Sequence, residues 1–309
     1  MLFNPSAPLL RKAQDLLATV SDLFARTATP PQAALADRLR AELRDLTTAT
    51  PDQLPFWRAT TDQLLRYAEA GDPLYFMRWP PIAGTMVPNN TPYALASYRA
   101  LRRRPDWQRI WAPAVIHPNF GQGPPLLANP RTSAITVEHA THLVRFKETT
   151  GRNLLESAGL AEFGGGFGSM CRLTTRLGFR GRHVIFDLPP ILALQRYFLG
   201  LHGIAAGGDM SERVVLASSL DTIADAIPHH TALISTWALS EMPVSLRERI
   251  ERFLRDDRTT MAMLAYQHRF EGIDNKAWFE ELMQRNRDLW HWHKVPFDAN
   301  SDYLFGVRR

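Results

Sequence analysis

Apolar residues between positions 7 and 26 recur at helical spacing, at Leu9, Leu10, Ala13, Leu16, Leu17, Val20, Leu23 and Phe24. A period near 3.6 predicts an amphipathic helix. Thr29-Pro30-Pro31 breaks the pattern, a second helix is expected over residues 32–46, and Thr50-Pro51 opens a third toward Tyr67. No strand alternation shows in this front end. Residues 71–129 read differently, with turn signals at Trp79-Pro80-Pro81, Val87-Pro88-Asn89-Asn90, His117-Pro118-Asn119 and Pro124-Pro125. Their aromatic content (Tyr75, Phe76, Trp79, Tyr93, Trp107, Trp111, Phe120) argues against disorder, so the segment reads as an ordered, loop-rich cap. Residues 132–147 predict a helix with Ile135, His139, His142, Leu143 and Phe146 toward one side.

From Leu160 onward the pattern changes. Short apolar runs at residues 160–163, 183–186, 213–217, 231–236 and 260–266 alternate with helical segments at 167–177, at 191–199, from near Pro243 and at 276–287. This alternation predicts an α/β fold, a largely parallel sheet with helices on both faces. Runs at 290–295 and 303–307, joined by a turn at Asp298-Ala299-Asn300-Ser301, predict a closing strand pair. The chain thus divides into a helical and loop-rich N-terminal cap, residues 1–128, and an α/β domain, residues 129–309.

Composition narrows the class. At 309 residues, 45% hydrophobic and 22% charged, the chain is an ordinary globular one. Its single cysteine, Cys171, excludes an internal disulfide, and a reducing cytoplasm is the natural setting. No apolar run reaches the roughly 20 residues of a membrane span, and Met1-Leu2-Phe3-Asn4-Pro5 lacks the features of a signal peptide. The net charge of +5 is scattered, and Arg102-Arg103-Arg104 reads as a solvated helix end, so nucleic acid is not the expected partner. The front helices suit a lid, a homodimer surface or both.

The densest chemistry lies in Leu160-Ala161-Glu162-Phe163-Gly164-Gly165-Gly166-Phe167-Gly168-Ser169, a strand, a glycine turn and a helix start. Glycines spaced by two let a ligand approach the main chain. Asp187 follows Glu162 by 25 residues, where a second strand should end and offer a carboxylate to ribose hydroxyls. A nicotinamide dinucleotide is the alternative ligand, but Glu162 would repel a pyrophosphate and attract an ammonium.

This constellation resembles the first two motifs of class I S-adenosylmethionine-dependent methyltransferases. With Phe186-Asp187-Leu188-Pro189, Ser235-Thr236-Trp237-Ala238-Leu239-Ser240-Glu241-Met242-Pro243 and Phe270-Glu271-Gly272-Ile273-Asp274-Asn275, it is similar to the bacterial putative sugar O-methyltransferase family over residues 129–309. Phe-Asp-Leu-Pro also resembles plant-type natural-product O-methyltransferases. The resemblance implies a Rossmann-like seven-stranded methyltransferase sheet and S-adenosylmethionine as cofactor. It implies that Glu162, Gly164, Gly165, Gly166, Phe167 and Gly168 hold the methionine part. Asp187 would bind the ribose, Leu188, Ser219 and Leu220 the adenine, and Ser235, Thr236 and Trp237 would end a strand beneath the sulfonium.

An alcohol acceptor needs its proton removed, which calls for a carboxylate of raised pKa or a neutral histidine. Glu241, past the fourth strand, and His268, past the fifth, are the candidate bases. His139, His142 and Arg145 on the preceding helix, Gln267, and His117 in the cap are candidate acceptor contacts. His139 and His142 share a helix face beside Glu138, but no matching third ligand is visible and no metal is expected. The expected reaction is methyl transfer to a hydroxyl of a sugar or other polar small molecule of natural-product biosynthesis. N-methylation of an amine or guanidine, a nicotinamide-dependent oxidoreductase and a non-catalytic cofactor-binding subunit are the alternatives.

Overall fold

The computed structural model describes residues 28–46, 53–88, 90–116, 118, 120–121 and 123–309. The helix expected over 7–26 and the candidate His117 lie outside the described residues.

Helix α1 (Pro30–Arg44) starts where the sequence breaks, because Pro30 occupies the first turn and Thr29 and Gln32 form a capping box. Helix α2 (Pro55–Ala70) follows, with Pro55 again in the first turn. The loop-rich expectation for 71–129 needs correction. Thr91-Pro92 opens a regular helix, α3 (Pro92–Arg102), whose Thr91 side chain accepts from the Ala94 amide at 3.0 Å. The sequence reading passed over this proline, which acts here as a helix N-terminus. Further single turns cover Pro73–Arg78, Pro80–Ala83, Trp107–Trp111 and Ala112–Val115. Helix α4 (Ala134–Thr150) starts two residues later than expected, because Asn129–Ser133 pairs with Pro125–Leu126, and it ends at Gly151 with φ +71°.

The sheet comprises β1 (Gly159–Phe163), β2 (Arg182–Phe186), β3 (Val214–Ala217), β4 (Thr231–Thr236), β5 (Thr259–Gln267), β6 (Trp290–Asp298) and β7 (Ser301–Arg308). Its spatial order is β3-β2-β1-β4-β5-β7-β6. Strands β1 to β5 are parallel and β7 runs antiparallel to both neighbours. This is the Rossmann-like seven-stranded methyltransferase sheet expected from the sequence. The closing strands extend beyond their expected ends, since Pro296 is tolerated on the edge strand β6.

Helices α4, α5 (Ser169–Arg176) and α6 (Pro189–Leu201) cover one face; α7 (Leu220–Ala226), α8 (Val244–Arg255) and α9 (Asn275–Arg285) cover the other. The N-terminal elements join the first face. Leu39 and Leu43 of α1 share an apolar cluster with α6, and Tyr98 and Leu101 of α3 share one with α4. Among the described residues no helix is long and apolar enough to cross a membrane.

Candidate active site

Strand order reverses between β1 and β4, so their carboxyl ends diverge into the crevice where open α/β sheets bind ligands. The glycine turn leaves β1 at this point. Gly164, Gly166 and Gly168 all adopt positive φ, at +77°, +55° and +96°. A side chain at Gly164 would run into the Ala238 methyl just beyond β4, which joins the two strand ends. At Gly166 an added Cβ would meet nothing nearer than Met86 Sδ at 3.7 Å, so the backbone there opens on free space. Gly168 ends the turn and α5 begins at Ser169, two residues later than expected, because Phe167 belongs to the turn.

Glu162 and His183 stand on adjacent strands, both almost fully buried, with His183 Nε2 2.8 Å from Glu162 Oε2. Burial pushes the imidazole down, but the Cys171 sulfur and the Glu162 carboxylate outweigh it and raise His183 to about 10. Glu162 therefore has a cationic partner within the fold, which the sequence reading missed.

Asp187 stands just past β2. Its Oδ1 accepts from the Leu188 amide at 2.9 Å and its Oδ2 from Gln195 Nε2 at 2.9 Å. Gln195 Nε2 also reaches the Gly166 carbonyl at 2.8 Å, so α6 ties the acid to the glycine turn. Burial raises the Asp187 carboxyl to about 7, against the Leu188, Gly166 and Gln195 hydrogen bonds. Gln195 Oε1 is buried without a hydrogen-bond partner among the described residues. An acceptor left open beside a buried carboxylate is what a hydroxyl-bearing ligand would satisfy.

The other expected cofactor residues divide. Ser219 caps α7, its Oγ accepting from the Asp221 amide at 3.1 Å, and Leu220 lies in the apolar core beneath that helix. Ser235 Oγ bonds the Phe163 carbonyl at 3.0 Å and accepts from the Leu239 amide at 3.0 Å, so it locks β4 to β1. Trp237, next after Thr236, has φ +73°, a strained conformation for a bulky residue, and its amide donates to the Ala265 carbonyl at 2.8 Å. Its half-buried ring meets Phe297 edge-on at 4.9 Å.

The two candidate bases are separated. Glu241 Oε2 accepts from Trp57 Nε1 of α2 at 3.1 Å, and its Oε1 from Gln267 Nε2 at 3.0 Å. Burial raises its carboxyl. The loop carrying it is held by the fully buried Arg247, which donates to the Met242 and Ser240 carbonyls and to Asn275 Oδ1. His268 pairs instead with Asp302 at 3.1 Å, which also accepts from the Tyr266 hydroxyl and lies 3.6 Å from Lys294.

The helix histidines converge with the hairpin. His142 Nδ1 is 2.7 Å from the Tyr303 hydroxyl, which is 3.4 Å from that of Tyr93. Burial holds both imidazoles down, His139 at about 3, so both are neutral. Arg145 lies 5.6 Å over the Tyr303 ring and donates to the Pro296 carbonyl. Phe297 links the group to Trp237, packing on Tyr93 at 4.6 Å and on Tyr303 at 5.2 Å. The sequence reading did not assign Tyr93, Phe297, Tyr303 or Glu138 to the site. Among the described residues no group of three or more His, Cys, Asp or Glu converges to hold a metal.

No family model matches the chain, and no curated protein matches it in sequence. Solved structures similar to it include the methyltransferase domain of bacterial CtHen1-C, at 10% identity and TM-score 0.42 over 55% of this chain and 96% of that one. Precorrin-6y C5,15-methyltransferase from Geobacter metallireducens is 13% identical, with TM-score 0.38 over 58% of this chain and 89% of its own. A SAM-dependent methyltransferase from Aquifex aeolicus is 12% identical, with TM-score 0.37 over 54% and 92%.

Proposed function

We propose that this protein is an S-adenosylmethionine-dependent methyltransferase acting on a hydroxyl of a sugar or other polar small molecule. One observation carries the reading: a turn of three left-handed glycines at the switch point of the sheet, tied through Gln195 to a carboxylate at the end of the next strand. The turn and Glu162 would hold the methionine portion, with Glu162 keeping His183 as its second partner. Asp187 would receive the ribose hydroxyls, with Gln195 Oε1 beside it. Bound there, S-adenosylmethionine supplies a methyl group already activated for displacement. What is left to the protein is alignment of the acceptor and exclusion of water. We assign the cofactor site to residues 129–309 and a share of acceptor recognition to the preceding cap, whose α2 and α3 reach the site through Trp57 and Tyr93.

Calorimetry with S-adenosylhomocysteine tests the reading. The wild type should bind, and Gly166→Val should lose at least about tenfold in affinity, because a β-branched residue is strained at φ +55°. A folded wild type that does not bind would refute it.

A further inference from the structure

Helix α4 buries three titratable side chains that a helix packed between a sheet and another helix has no structural need of: Glu138, His139 and His142. His142 is bonded to Tyr303. Glu138 is different. It is 8% exposed, and no donor or cation reaches its carboxyl among the described residues. Its oxygens are not sealed from solvent, and a largely buried carboxyl that no protein group satisfies still calls for an explanation.

Its surroundings supply one. Glu138, His142 and Arg145 follow one another at helical spacing along α4. Glu138 lies one helical turn before His142, so its side chain shares the helix face that meets the Tyr303 hydroxyl. Around this floor stand three half-buried rings, Tyr93, Phe297 and Trp237. Tyr303 lies in register with Ala265 and Thr236, so the floor is level with the carboxyl end of β4. Half-buried rings and a carboxyl near the carboxyl ends of the strands are the chemistry that an acceptor site calls for.

We infer that the acceptor hydroxyl is received between α4 and the β6–β7 hairpin beside Trp237, and that Glu138 takes its proton, an inference that rests on the methyltransferase reading above. The acceptor oxygen forms the new carbon–oxygen bond as the methyl–sulfur bond breaks, its electron pair staying on sulfur. The hydroxyl proton passes to the Glu138 carboxylate and leaves with product to solvent. His142 and the two tyrosine hydroxyls are positioning groups that fix the acceptor. Burial lifts the Glu138 carboxyl to about 8, near the range where a general base works best. Burial is what raises it; the charged and titratable groups on the elements packed around it are Tyr93 of α3, Tyr303 of β7 and Arg172 of α5, with His139, His142 and Arg145 on α4 itself.

The test uses the full chain, Glu138→Gln, and two ring-shaped probes, phenol and aniline, which differ in that an amine can attack before losing a proton. S-adenosylhomocysteine affinity should be unchanged in the variant. Infrared difference spectra between pH 6 and pH 10, recorded without acceptor, should show a protonated-carboxyl band that titrates near 8 in the wild type and is missing in the variant. Single-turnover transfer to phenol should fall by about 10²–10⁴-fold, the usual worth of a positioned base, while transfer to aniline stays within roughly threefold. Glu138→Leu, which removes the group at similar volume, serves as the second variant if the first is unstable. Equal loss on both probes, no loss on phenol, or a missing band in the wild type overturns the assignment. So does a wild type that binds S-adenosylhomocysteine yet methylates neither probe. A wild type that does not bind S-adenosylhomocysteine fells the methyltransferase reading and this inference with it.

Discussion

The Glu162–His183 pair makes a stability prediction that bears on any test of Glu162. Both side chains are almost fully buried, and Nε2 and Oε2 are 2.8 Å apart. With the folded imidazole at about 10 and an unfolded value of ~6.5, each unit being worth about 1.4 kcal/mol, the bound proton contributes about 4 kcal/mol at pH 7. That agrees with the roughly 3–5 kcal/mol lost when one partner of a buried pair is removed. The folded-state value is the higher one. The contribution is therefore fully present below about pH 6.5 and is lost as pH rises toward 10. The Cys171 sulfur holds part of this stabilisation, so urea unfolding of the wild type and of Glu162→Gln should differ by at most about 4 kcal/mol near pH 7, and the gap should close by about pH 10. His183→Gln should destabilise by a similar amount at neutral pH. The double variant should recover about 2–3 kcal/mol of the summed losses. A gap that does not change with pH, or strictly additive single losses, would refute the charged pair. Weak cofactor binding by Glu162→Ala then counts as evidence on the ligand only where urea unfolding shows the variant folded.

Two further outcomes follow from the hydrogen-bond partners. Asp187→Ala should weaken S-adenosylhomocysteine binding by roughly 1–3 kcal/mol in calorimetry, since a buried charged hydrogen bond is lost; an unchanged affinity would remove Asp187 from the site. Glu241→Gln turns a carboxylate that accepts from Trp57 and Gln267 into an amide that presents a donor to one of them. It should cost roughly 1–3 kcal/mol of stability, with Trp57→Phe shifting the melting temperature in the same direction. Phenol methylation by Glu241→Gln should stay within a few-fold, and a loss above about 10²-fold would return the base to Glu241.

Much of the sheet was legible because it depends on local signals. Each parallel strand is an apolar run between turns, and Gly164, Gly166 and Gly168 of the turn are required by their backbone angles. Asp187 was legible too, because its place one strand on from the glycines is set by topology. The helix at Pro92–Arg102 was not, since Thr-Pro serves equally as a turn and as a helix start. Contacts across long separations were hidden for a different reason. Trp57 meets Glu241 across 184 residues, and His142 meets Tyr303 across 161, and no pattern within a window reports such pairs.

One signal was nonetheless present and went unused. The strands β1 and β2 are apolar apart from a few positions, and two of those, Glu162 and His183, lie on the same face of neighbouring strands. A buried strand keeps a charge only when a partner offsets its desolvation, so an acid and a histidine in adjacent apolar runs should be paired before either is given to a ligand. The same reasoning applied to α4 separates its polar residues. A helix buried on nearly all sides retains His142 because Tyr303 bonds it, whereas Glu138 has no such partner among the described residues. In both cases the question of what offsets the burial comes before the question of what the residue does. At Glu162 the answer lies within the fold. At Glu138 it lies with a molecule that has yet to bind.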